Sequence, residues 1–194
     1  MNQTADHPPS PFPGVDIGKF ALWLFLASEI MFFSGLIGAY IVLRNAAGSW
    51  PVVSHELNVT LVAANTFILL VSSLTMVRAY AAIQEGDQQG LRRFLVATIV
   101  LGVIFLSIQA YEWIVLINEG TTASSSLFGS VFFTLTGFHG LHVLGGVIWN
   151  VYVAIRAFQG AHTQEDYGGV EIAGLYWHFV DVVWIFLFTI VYLI

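Results

Sequence analysis

The sequence predicts an all-α membrane protein: one bundle of five transmembrane helices, with the N-terminus cytoplasmic and the C-terminus outside. Three observations carry this expectation. Of 194 residues, 57% are hydrophobic and only 9% are charged, a composition too apolar for a surface wetted by water. The apolar residues gather into five runs, each at or above the roughly 20 residues that span a hydrocarbon core. The six Lys and Arg residues fall almost entirely on one side of the topology those runs define.

Residues 1–16 form a tail that holds Pro8, Pro9, Pro11 and Pro13, and an extended or disordered conformation is expected there. No basic residue precedes the first apolar run and the run has no small-residue cleavage site, so no cleaved signal or transit peptide is expected. Residues 17–194 form a single domain whose helices are expected at about 17–43, 59–80, 94–117, 128–158 and 172–194. The connections, 44–58, 81–93, 118–127 and 159–171, leave no room for a second domain, and the fifth proline, Pro51, lies in the first of them. A soluble helical core would require a charged face on each helix. These five have none.

With the N-terminus cytoplasmic, Lys19, Arg78, Arg92, Arg93 and Arg156 lie at inner ends or in inner loops, and only Arg44 lies outside. Of the tryptophans, Trp23, Trp50, Trp113 and Trp177 suit interfacial positions, whereas Trp149 and Trp184 sit deeper in their spans. The formal charge of −6 and the lack of a basic cluster exclude nucleic acid as a partner. The absence of cysteine excludes disulfides, thiolate metal sites and iron–sulfur clusters.

Ionisable groups inside a span cost about 2.5 to 3.5 kcal/mol at the helix centre and therefore call for interior partners. At 100° per residue, Thr98, Gly102, Gln109 and Glu112 share one face of the third helix. His139, His142, Gly146 and Asn150 share a face of the fourth, and Glu171, Gly174, His178 and Asp181 a face of the fifth. These stripes are expected to face protein. On the first helix Glu29 lies beside a small-residue strip of Ser28, Gly35 and Ala39, which suits close helix approach, and on the second Asn65 aligns with Ser72.

Each stripe has two readings. Interhelical hydrogen bonds would fix packing at about 0.6 to 2 kcal/mol each, which is the favoured reading for Glu112, His139, His142, His178 and Asp181. Glu29 lies mid-span among Leu26, Ile30, Phe32 and Phe33, where ionisation is penalised, so lipid contact or proton handling weighs equally with structure. His139 and His142, at i and i+3, have the spacing to converge on one ion, with His178 and Asp181 repeating it. A diiron bundle would require Glu-x-x-His on each of two helices, and neither pair begins with Glu. Metal or bis-histidine haem is the minor reading.

Whole segments then point to a family. Residues 22–40 read LWLFLASEIMFFSGLIGAY, 65–75 NTFILLVSSLT, 109–113 QAYEW, 136–146 TGFHGLHVLGG and 175–193 LYWHFVDVVWIFLFTIVYL. Together they closely resemble subunit III of the haem-copper terminal oxidases, the cytochrome c oxidase and quinol oxidase complexes, from about Lys19 to the C-terminus. The resemblance implies a subunit without catalytic residues, haem or metal of its own, with room for bound phospholipid. It also implies a place directly beside subunit I, with subunit II and a small subunit IV in the same complex. Its family role is support of proton uptake, sustained turnover and lipid binding. The family's membrane glutamate falls on Glu29, its paired histidines on His139 and His142, and its last-helix pair on His178 and Asp181.

Longer family members have seven helices, and the two N-terminal ones that close one side of a lipid-holding cleft have no counterpart here. The short form resembles bacterial five-helix subunits, which implies a bacterial plasma membrane. The LASEIMFF block resembles the cytochrome c branch, with quinol as the alternative donor. A free-standing proton or ion transporter and a membrane b-type cytochrome are the rivals from other classes. The lack of broken helices and internal repeats counts against the transporter.

Overall fold

A computed structural model describes residues 16–48, 50 and 58–194. The tail and most of the first connection, including Pro51, fall outside the described residues. Five helices span Ile17–Ala46 (α1), Val59–Gln84 (α2), Gln88–Asn118 (α3), Leu127–Phe158 (α4) and Gly168–Phe188 (α5), and α5 runs on into a π-helical turn over Thr189–Leu193.

The five expected spans are all present, but their ends differ. The third helix begins at Gln88, six residues before its apolar run, and the fifth at Gly168. Hydropathy marks the membrane-facing part of a helix, whereas its ends follow capping. Asp16, Asn58, Asp87 and Ser126 each accept a hydrogen bond from the backbone amide three residues on, at 2.9 to 3.0 Å. At the other ends Gly86, Gly120 and Gly160 take φ of 79°, 91° and 76°, the left-handed conformation that lets a chain turn back and satisfy the last carbonyls. The turn between α2 and α3 is thereby reduced to residues 85–87.

Antiparallel neighbours follow from these short connections. Helix α2 packs along α3, α3 against α4, α4 against α5, and α5 back onto α2, closing a four-helix ring. Helix α1 lies outside the ring, against α4 and α5. The inward faces hold Phe105, Phe132, Trp177 and Trp184, all almost fully buried. Outward faces are apolar too: Met31 is 77% and Phe67 67% exposed. Large apolar side chains on the outside of a bundle whose core is already filled require a hydrocarbon solvent, and all five helices are long and apolar enough to cross it.

Trp177 holds the ring closed. Its indole lies in the space left by Gly102 on α3 and Gly146 on α4, where an added Cβ would come within 2.8 Å of the ring. Its Nε1 donates to Ser72 Oγ on α2 at 3.0 Å. Seven residues on, Trp184 Nε1 donates to Thr66 Oγ1 at 2.9 Å, so α2 and α5 are fastened twice along antiparallel axes. Trp184 is as deep as the sequence suggests. Trp177, expected at an interface, is instead a core residue, because two glycines on other helices make room for it.

Candidate functional site

The polar stripes of α3, α4 and α5 turn inward: Thr98, Gln109, Glu112, His139, Asn150 and Asp181 are buried. They do not form one site. Three separate clusters hold the ionisable residues other than His139.

The first joins α1 to α4. His142 Nε2 lies 3.0 Å from Glu29 Oε2, and both side chains are 17% exposed. The other ring nitrogen, Nδ1, lies 2.7 Å from the Phe138 carbonyl. A carbonyl oxygen can only accept, so Nδ1 carries a proton. The contact to Glu29 therefore holds one proton, on the carboxyl or on Nε2, and the pair is net neutral in either arrangement. That neutrality lowers the cost of placing two ionisable groups within a span. Phe33 packs edge-on against His142 with centroids 5.0 Å apart, and Phe32 against Phe138 at 5.1 Å. Tyr176 of α5 donates to the His142 carbonyl at 3.1 Å.

His139, one turn earlier on α4, points elsewhere. Its ring stacks on Trp184 with centroids 4.8 Å apart, is 1% exposed, and has no hydrogen-bond partner on either nitrogen among the described residues. The two histidines diverge, one into the ring and one toward α1, so they do not converge on a single ion. Among the described residues no group of three or more His, Asp and Glu side chains is gathered in metal-binding geometry.

The second cluster joins α5 to α2: His178 Nδ1 lies 2.5 Å from Ser73 Oγ, and Asp181 is buried one turn away. The third lies between α3 and the end of α5, where Glu112 Oε2 accepts from Gln109 Nε2 and from Tyr192 Oη, both at 3.0 Å. Ser73, Tyr176 and Tyr192 are the partners that the sequence reading did not find. Serine and tyrosine in an apolar run carry no signal of their own until the opposing helix is known.

The small residues of α1 stand apart from these clusters. Ser28, Gly35 and Ala39 are exposed and a Cβ on Gly35 would touch nothing, so the small-residue strip packs against no helix among the described residues. Helix α1 is docked by the Glu29 face instead. Toward the other end, α1 and α4 border an apolar groove of about 250 Å³ lined by Leu36, Ala39, Leu43, Leu127, Val131 and Leu135, among others.

Comparison with known proteins agrees with this architecture. The family model described as cytochrome c oxidase subunit III matches residues 5–194. The chain is 44% identical over 172 residues to the probable cytochrome c oxidase subunit 3 of Nocardia farcinica, covering 88% of this chain and 85% of that one. It is 43% identical over 174 residues to cytochrome c oxidase subunit 3 of Corynebacterium diphtheriae, with the same coverage. For the subunit 3 of Synechocystis sp. the identity is 43% over 181 residues, covering 92% of this chain and 76% of that one.

Proposed function

Because this chain belongs to the cytochrome c oxidase subunit III family, a multi-pass component of the bacterial plasma membrane and its respiratory chain, we propose that it is the non-catalytic subunit III of a proton-pumping oxidase fed by cytochrome c. The observation that carries this reading is the Glu29–His142 pair. It sits on the flank between α1 and α4, not in the interior of the ring, and its sequence neighbours Ile30 and Leu141 are exposed and apolar. A net-neutral pair that shares one proton suits contact with lipid or a neighbouring subunit, and a supporting part in proton uptake. The interior is filled by aromatic packing around His139 and Trp184.

In this reading haems and copper belong to partner subunits, and the chain contacts subunit I directly, with subunit II and a small subunit IV in the same complex. The exposed strip of Ser28, Gly35 and Ala39 supports a partner on α1, since small residues suit close helix approach and no helix among the described residues packs on it. The distribution of basic residues favours a cytoplasmic N-terminus.

The test is purification of the complex with and without this chain. Haem-bearing subunits should co-purify with it, and the complex lacking it should keep its haem spectrum and initial oxygen consumption while losing activity sooner under sustained turnover. Stoichiometric haem in the separately expressed chain would instead make it a b-type cytochrome.

A further inference from the structure

At the end of the bundle opposite the 250 Å³ groove, a second groove of about 410 Å³ runs between the start of α3 and the end of α4, lined by Gln89, Arg92, Arg93, Val96 and Phe158. We infer that this groove binds the phosphodiester of an anionic phospholipid, with Arg92 and Arg93 on the headgroup and an acyl chain lying along Val96 and Phe158. The inference rests on the membrane reading above but not on the oxidase role.

Arg92 is held in place before any ligand arrives. Its Nε donates to the Ala157 carbonyl at 3.2 Å, and its guanidinium lies 5.5 Å from the Phe158 ring centroid. That carbonyl lies in the last turn of α4, where a cation is favoured by the helix dipole. The two terminal nitrogens keep their donors, in the planar fork that suits phosphate oxygens. Arg93 is exposed and takes part in neither ion pair formed among the described residues. The nearest acid in sequence, Asp87, is committed to the Gly90 amide. Neither guanidinium pairs with a carboxylate among the described residues, so both are free to take a phosphate.

The groove is polar at one end only. Gln89 and the arginines lie in the first turns of α3. Further along, Val96 and Val100 on α3 and Ile155 on α4 are exposed and apolar. A free phosphate would use only the first part of that surface. A phospholipid uses both, with its charge at the helix ends and its chain toward the middle of the span.

The test takes the intact complex containing this chain, placed in nanodiscs of phosphatidylglycerol and phosphatidylcholine, with retained lipid counted by native mass spectrometry. Arg93→Gln, which leaves the Arg92 to Ala157 bond in place, should lower phosphatidylglycerol retention about fivefold, and Arg92→Gln/Arg93→Gln should lower it further, by about fivefold per arginine. Co-purification with haem-bearing subunits reports separately on the oxidase reading, and both variants should preserve it. Unchanged phosphatidylglycerol retention in the double variant would overturn the proposal. So would displacement of the lipid by inorganic phosphate, which would make the groove a free-anion site. Loss of a partner subunit from Arg93→Gln with lipid retention unaltered would assign the groove to protein and also overturn it.

Discussion

Glu29 and His142 show how a residue's role depends on what it meets. Glu29→Gln keeps the shape and can donate an amide hydrogen to His142 Nε2, so assembly should survive and the initial oxidase rate should stay within about twofold. The expected losses are in proton-pumping yield or endurance, read by proton release per electron and by activity over many turnovers. Abolished oxygen reduction in an assembled, haem-replete complex would contradict the accessory role. The tryptophan hooks should behave differently. Trp177→Phe removes the bond to Ser72 and leaves a smaller ring in the space between Gly102 and Gly146, at a cost to the fold of at least about 0.6 to 2 kcal/mol. Trp184→Phe should cost a similar amount, and thermal unfolding of the detergent-solubilised complex would measure both.

Individual elements carry their own consequences. The Trp177 indole of α5 leaves Gly102 on α3 and Gly146 on α4 no room for a side chain, and Gly146→Val should overpack the site by about 1 to 3 kcal/mol. Gly140, whose added Cβ would touch nothing, is the control: Gly140→Ala should leave unfolding unchanged. The connection between α4 and α5 is tied down by the Gln88 amide, which donates to the His162 carbonyl at 2.9 Å, and by Gln164, which donates to the Gln84 carbonyl at 2.8 Å. Burial pushes the His162 imidazole below its ordinary value of 6.5, with Arg156 adding to the shift and Asp166 opposing it. The unfolded connection then binds protons that the folded one does not, so its stability is present above about pH 6.5 and is lost as the pH falls below it. Proteolysis within residues 159–167 should therefore accelerate on acidification, and His162→Gln should flatten that dependence.

At the scale of the whole molecule, the charge distribution argues for an orientation. Lys19, Arg78, Arg92, Arg93 and Arg156 all lie toward one end of the bundle. There Lys19 pairs with Glu171 at 2.7 Å. At the opposite end Arg44 donates to the Ile194 carbonyl. Single cysteines can test the sidedness without background, since the chain has none. Glu85→Cys should resist an impermeant reagent added to intact cells, and Ser124→Cys should react. The reverse pattern would invert the topology. The exposed strip on α1 belongs to this scale as well: a bulky residue at Gly35 should leave the isolated chain folded and weaken its association with the complex.

Five spans, the inward direction of three polar stripes and the family were legible in the sequence, because bilayer thickness sets run length and helical periodicity sets faces. The helix ends were missed where hydropathy was the guide, because Asp87 and Ser126 cap starts earlier than the apolar runs. The partners were not legible. His139 and His142 are three residues apart on one face, yet α5 brings Trp184 to the first and α1 brings Glu29 to the second. Spacing along a helix fixes where a side chain leaves its own axis. Which neighbour receives it depends on how the axes pack, and that packing rests on contacts such as Trp177 between Gly102 and Gly146, made by residues far apart in the chain.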